Sequence, residues 1–371
     1  MPPTSAGPEN RPLTSLRYFI ALYVFLFHMQ IRWPIIHRQW LANIINQGAI
    51  GMTFFFMLSG FIIAMNYRVL NLPRYTIARF SRIYPVYFLA GLVTLPFLNV
   101  SLLAPQIHNT LNRSIILVFM VIINLFLLQA WFPPTFNAWN NGASWSISTE
   151  AFFYFTFPLI RHFFENHSKS SKRIFMCFYF LMCLFGLGLV LFPGTNMAVA
   201  YSIPIYRLGE FICGICLFNF IQGTPSTNNI NIMYLRLCFV CASFFLILDL
   251  GWLGHGLPGY ISQDWVAIPF FAILLILLMQ ERGTIIKFLS SNFFVLLGKS
   301  SYSFYSMESF FILFALQNRN SLIYHFPILA NNRYFCLLLF ISTQLSALVV
   351  YFLVEVPSRR IITKKLSKLW L

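Results

Sequence analysis

Residues 48–66 read GAIGMTFFFMLSGFIIAMN, nineteen positions without an Asp, Glu, Lys, Arg or His. A helix needs about 20 mostly apolar residues to cross a bilayer, and this run has the length with no charge to solvate. Gly48, Gly51, Ser59 and Gly60 punctuate it, the small residues that let helices approach closely in lipid. The rest of the chain has the same character. Of 371 residues, 58% are hydrophobic, 19% aromatic and 9% charged, and the mean hydropathy is +0.73. Ordinary soluble domains carry about a quarter charged residues, so a soluble fold of this size could not cover its surface. The soluble classes are excluded, and the chain reads as an all-α polytopic membrane protein.

Working outward, apolar runs of membrane-spanning length fall near 14–33, 48–66, 83–100, 113–131, 146–164, 174–192, 204–221, 233–250, 265–280, 299–317 and 334–354. The formal charge of +16 comes from basic residues gathered between these runs. They form the clusters Arg68/Arg74/Arg79/Arg82, Arg161/Lys169/Lys172/Arg173, Arg282/Lys287 and Arg359/Arg360/Lys364/Lys365/Lys368. That is the positive-inside pattern rather than a nucleic-acid footprint. If every cluster is cytoplasmic, the crossings between consecutive clusters must be even in number. Two, four and two runs satisfy this, but three runs separate the first cluster from the second. One of the three is therefore broken or re-entrant, and 146–164, which opens on Trp145-Ser-Ile-Ser-Thr-Glu150, is the expected one. The reading is about ten crossings plus one interrupted segment in a single domain, residues 1–371. A polar N-terminal tail (1–12) without signal-peptide features and a basic tail (359–371) complete it, and both termini are expected in the cytoplasm.

Ionisable residues in membrane helices are costly unless paired or facing water, so each is a functional candidate. Arg17 and His28 share the first run. Eleven steps place them about 16 Å apart along the axis and on nearly one face. Neutral imidazole is well suited to take a proton from a hydroxyl. Arg79 and Arg82, at i and i+3, form a fork that fits phosphates. Glu150 needs a cationic or donor partner, for which His28 or an Arg is the expected choice. Arg207 and Glu210 at i and i+3 are expected to neutralise each other as a structural pair. Glu308, within Ser301-Tyr302-Ser-Phe-Tyr305-Ser-Met-Glu308, and Glu355, beside Arg359 and Arg360, complete the acidic set. Seven cysteines, including the C-x-x-C pairs Cys213/Cys216 and Cys238/Cys241, lie in apolar runs, where thiols behave as small hydrophobes. No metal site is expected.

Seven motifs then occur in order: Arg17-x10-His28; Gly48-x-x-Gly51 leading to Phe54-Phe55-x-x-Leu58-Ser59-Gly60-Phe61; Arg79-x-x-Arg82-Ile-Tyr84-Pro85; Trp145-Ser146-Ile-Ser-x-Glu150; Arg207-x-x-Glu210-Phe211; Ser301-Tyr302-x-x-Tyr305; and Glu355-x-Pro357. On these the chain resembles acyltransferase family 3, integral-membrane enzymes that O-acylate glycans and related acceptors, over about residues 11–360. The resemblance implies acetyl-CoA or another acyl-CoA as co-substrate, no permanently bound cofactor, and a carbohydrate hydroxyl as acceptor, such as a surface polysaccharide, lipopolysaccharide or O-antigen sugar. It carries the family's first-helix Arg and His onto Arg17 and His28, and its arginine pair onto Arg79 and Arg82. Members commonly have Asp where this chain has Thr14, and His where it has Glu308.

The expected mechanism follows. His28 is general base with Glu150 as its orienting partner. Arg17, Arg79 and Arg82 hold the donor phosphates. Ser59, Tyr302 or Glu308 contact the oxyanion or acceptor. The implied home is a bacterial cytoplasmic (inner) membrane. The rival reading is a transporter or flippase for lipid-linked glycans, which would share the buried charges and basic loops but consume no CoA.

Overall fold

The computed structural model describes residues 10–67, 71–97, 110–132, 144–167, 170–191, 201–223, 229–253, 264–280 and 283–370. Among these residues all regular structure is helical. Among the described residues seven helices are long and apolar enough to cross a membrane, and shorter apolar helices cover 114–125 and 265–280. Each of the eleven expected runs contains a helix, and the chain is an integral membrane protein. The chain divides into two compact units, each assembled from separated stretches.

The first unit takes residues 1–70, 156–201 and 205–299. It contains α1 (Arg11–Arg32), α2 (Gln39–Asn46), α3 (Gly51–Asn66) and the C-terminal half of α6 (Ser144–His167). It continues with α7 (Ser171–Leu191), α8 (Pro204–Gly223), α9 (Asn229–Leu248) and α10 (Asp264–Gln280). The short α11 (Thr284–Leu289) and α12 (Asn292–Lys299) close it. Its core joins α3, α8 and α10 through Phe54, Phe61, Cys213 and Phe271. The opening sequence 48–66 explains the closeness of one pair. A Cβ at Gly60 would fall on the carbonyl of Phe211, and one at Gly214 on the carbonyl of Met57. Two reciprocal glycines thus bring the backbones of α3 and α8 into contact, where dispersion rather than the hydrophobic effect holds helices together. Gly298 does the same for α12, its Cβ position being taken by the carbonyl of Thr14 on α1.

The second unit takes residues 71–155, 202–204 and 300–371. It contains α4 (Leu72–Thr94), α5 (Thr110–Leu125), the first half of α6, α13 (Ser301–His325), α14 (Asn332–Val350) and α15 (Val356–Trp370). Two expectations are corrected here. First, α4 starts about three turns before the expected 83, capped by Asn71, whose side chain accepts from the amide of Arg74, with Pro73 in the first turn. The shared helix face expected for Arg79 and Arg82 is thus part of α4, which also carries Arg74. The basic tail is likewise helical, as α15.

Second, the interruption falls in 113–131, whereas α6 is an unbroken helix of 24 residues. α5 stops at Leu125 after 16 residues, about 24 Å of rise against a hydrocarbon core of about 30 Å. Leu127 then adopts a positive φ of 58°, and a 3-10 turn covers Gln129–Trp131. Irregular backbone in a membrane protein survives where protein groups satisfy it, and here they do. Tyr87 Oη donates to the Asn124 carbonyl (2.8 Å) and Ser148 Oγ to that of Leu127 (2.6 Å). The amide of Ala130 donates to Ser148 Oγ (3.3 Å), and Gln129 Nε2 to the Ser144 carbonyl (2.7 Å). The polar Ser-rich start of α6 is the partner of the break, not the break itself.

Candidate functional site

Proline positions set the local geometry of α4 and α6. Pro158 has no amide, so the carbonyl one turn earlier, at Tyr154, loses its helical donor. The hydroxyl of Tyr75 on α4 replaces it at 2.9 Å. Pro85 loosens α4 in the same way, and Tyr302 Oη on α13 donates to the nearby carbonyl of Ile83 at 2.7 Å. These two tyrosines tie α6 and α13 to the stretch of α4 that carries the arginines.

Arg79 is 8% exposed, and its guanidinium lies 5.3 Å from the ring centre of Tyr154 and 6.0 Å from that of Tyr75. Aromatic faces stabilise a buried cation through their quadrupole. Tyr154 donates its hydroxyl proton to Glu150, one turn earlier on α6. Glu150, Arg79 and Arg82 all lie within electrostatic reach of Tyr154. Tyr302 feels both Glu150 and Glu355. Glu355 is buried, in the π-helical turn Tyr351–Glu355, and accepts from Ser303 Oγ at 2.7 Å. Tyr305 Oη and Ser146 Oγ share a hydrogen bond of 3.0 Å, and Glu308, 2% exposed, lies within electrostatic reach of Tyr305. The second unit thus brings Arg79, Arg82, Glu150, Tyr302 and Glu308 into one polar cluster.

Arg359 joins the cluster and was missed by the sequence reading. On α15 it interacts electrostatically with Arg82, Glu355 and Arg79. The sequence signal is its place four residues after Glu355, one helical turn, which predicts a pairing with that carboxylate and nothing further. The remaining expected residues belong to the first unit. Arg17 and His28 share the unbroken α1, both half-buried. The His28 ring sits 5.1 Å from that of Phe27, and its carbonyl accepts from Arg32 at 3.1 Å. Ser59 is half-buried on α3.

Arg207 and Glu210 form the expected pair on α8. The ion pair is 2.5 Å long, and the residues are 1% and 0% exposed. Arg207 Nε donates to the Tyr201 carbonyl at 2.6 Å, and its guanidinium lies 4.3 Å from the Tyr201 ring centre. A charge this buried stays ionised only with such a set of partners. Of the C-x-x-C thiols, Cys213 and Cys216 are core residues while Cys238 and Cys241 lie on the outer surface. Among the described residues no group of three His, Cys, Asp or Glu is placed to hold a metal ion.

Comparison with known proteins agrees with this architecture. A family model described as "Acyltransferase domain" matches residues 12–351. The acyltransferase MdmB of Streptomyces mycarofaciens is 29% identical over 226 residues, covering 55% of this chain and 56% of MdmB. The O-acetyltransferase OatA of Staphylococcus aureus (strain NCTC 8325 / PS 47) is 24% identical over 377 residues, covering 95% of this chain and 58% of OatA. The chain therefore spans under three-fifths of the length of these curated relatives. No solved structure matches it. With a family match across nearly all of its length, built on membrane helices that carry the seven motifs, the chain belongs to acyltransferase family 3.

Proposed function

We propose that the protein is a membrane O-acyltransferase that moves an acetyl or other acyl group from a CoA thioester to a hydroxyl of a cell-surface glycan. The acceptor oxygen bonds to the thioester carbonyl carbon, the carbon–sulfur bond breaks, and CoA leaves as the free thiol. The hydroxyl proton passes to His28 as general base and from there to the departing sulfur. Arg17 supports donor binding in the first unit. Arg79, Arg82 and Arg359 bind the donor phosphates in the second. Glu150 is a positioning residue that holds Tyr154 against Arg79. Tyr302, Glu308 and Ser59 are candidate contacts for the oxyanion or acceptor. The orientation that fits a cytoplasmic thioester donor is a bacterial cytoplasmic membrane with both termini on the CoA side.

The observation that carries this reading is the grouping of three arginines beside an aromatic–carboxylate pair. Guanidinium forks match phosphate oxygens, and CoA is a polyphosphate thioester. The similarity to MdmB, an acyltransferase, and OatA, an O-acetyltransferase, favours the same chemistry. The test is label transfer from radiolabelled acetyl-CoA to envelope glycan by the full chain in lipid nanodiscs. Arg359→Gln and the double variant Arg79→Gln/Arg82→Gln should each raise the KM for acetyl-CoA about tenfold or more, the loss expected for a charge-assisted contact, with a smaller change in the acceptor KM. Glycan movement across vesicles without CoA release would replace this reading with the flippase. An unchanged donor KM would remove the arginines from donor binding.

A further inference from the structure

The first unit holds a cavity of about 310 Å³ that has no part in the proposed chemistry. It lies between α7, α8 and α10, and its walls include Lys172, Phe175, Met176, Cys216, Phe220 and Ala272. Lys172 and Met176 are exposed at the mouth, while Cys216 and Ala272 are buried at the back. The start of α7 meets the last part of α8 and the second half of α10 there. Ala272 stands eight residues before the end of α10 at Gln280, so the cavity reaches about 12 Å along the helices from that end.

Two features define the occupant. The walls are almost wholly carbon, so a water inside would lack the two to four polar partners that a buried water needs. The mouth is cationic. Lys172 Nζ lies 4.8 Å from the ring centre of Phe220, and the adjoining Arg173 is a second exposed cation. Along α7 the surface next to the mouth continues as Phe180, Leu181 and Leu184, each more than half exposed. Such a surface faces hydrocarbon in a membrane helix, so the cavity opens toward lipid with its cation at the polar boundary.

We propose that this cavity seats one acyl chain of an anionic phospholipid from the leaflet on the basic-loop side, with the lipid phosphate on Lys172. The apolar depth selects a hydrocarbon tail, and the ammonium at its rim selects a phosphate without a balancing cation. The wild-type chain is reconstituted in vesicles of equal phosphatidylglycerol and phosphatidylcholine, released into mild detergent, and weighed by native mass spectrometry. One phosphatidylglycerol should remain bound. Lys172→Gln should lower its retention about fivefold, the worth of one basic residue at an anionic surface, without loss of folded protein. Ala272→Phe should fill the cavity and remove the lipid. If that variant fails to fold, Cys216→Leu, a smaller filling, replaces it. Equal retention of the two lipids, no retained lipid, or retention unaffected by both the lysine and the filling variants would overturn the assignment. Displacement of phosphatidylglycerol by palmitoyl-CoA at equal concentration would also overturn it, giving the cavity to a donor tail.

Discussion

At the scale of single residues, the two roles that differ most in their evidence are those of His28 and Tyr154. His28 rests on its chemistry and its place on α1: a half-buried imidazole in a helix otherwise rich in aromatic and aliphatic side chains. Removal of a general base costs about a hundredfold or more in rate. His28→Ala should therefore lose acyl transfer while membrane insertion and yield stay normal. Retention of more than about a tenth of the activity, far above the loss a base implies, would assign the proton to another group. Tyr154 rests on contacts. Its hydroxyl goes to Glu150 and its ring faces Arg79. Tyr154→Phe keeps the ring and removes only the hydroxyl, whereas Tyr154→Leu removes the cation–π contact as well. A positioning role for the ring requires that Leu raise the KM for acetyl-CoA well above Phe, which loses only the hold of Glu150 on the ring, since a cation–π contact is worth about 0.5–2 kcal/mol. Equal effects of the two variants would place the function in the hydroxyl instead.

At the scale of elements, glycine and proline did more than apolar run length to position the helices. Gly214 lets α8 meet α3 backbone to backbone. Gly214→Val must push the pair apart and disturb the core around Phe61 and Cys213. Overpacking of this kind costs about 1–3 kcal/mol, and more where backbone blocks the way. The variant should lower the unfolding midpoint of the detergent-solubilised protein, while Gly188→Ala, with open space around its Cβ, should leave it unchanged or raise it slightly. Equal midpoints for Gly214→Val and the wild type would mean the two helices are less closely packed. The helices themselves were legible because a bilayer imposes length and apolarity on every crossing. The break was harder to read, since the same Ser and Thr side chains can interrupt their own helix or satisfy another. Ser148 does the second, bonding the carbonyl of Leu127 and the amide of Ala130. Nothing in the local sequence of α6 distinguishes these outcomes. α4 starts earlier than apolarity alone predicts, because its charged first turns, begun by Asn71 and Pro73, precede the apolar run. Arg359 escaped because its neighbours Arg79 and Arg82 lie far away in sequence, and only packing of the second unit joins them.

At the scale of the whole molecule, the alternation of basic loops with apolar helices makes one sharp demand. The clusters ending at Arg82 and beginning at Arg161 can share a side only if an even number of full crossings separates them. α4, α5 and α6 lie between, and α5 is the short one, followed by the left-handed Leu127 and a 3-10 turn. The ends of this interrupted segment should then return to the side from which it enters. In a background lacking the seven native cysteines, Pro96→Cys and Phe132→Cys place single thiols at exposed positions, one just after α4 and one just after the 3-10 turn. Both thiols should react with a membrane-impermeant maleimide from the same side of sealed vesicles. That side should be opposite to a thiol at Lys172→Cys, which marks the basic loop. Labelling of Pro96→Cys and Phe132→Cys from opposite sides would make α5 a complete crossing. The loop holding Lys172 would then have to leave the side of Arg82, and the shared cytoplasmic placement of the basic clusters would fail with it.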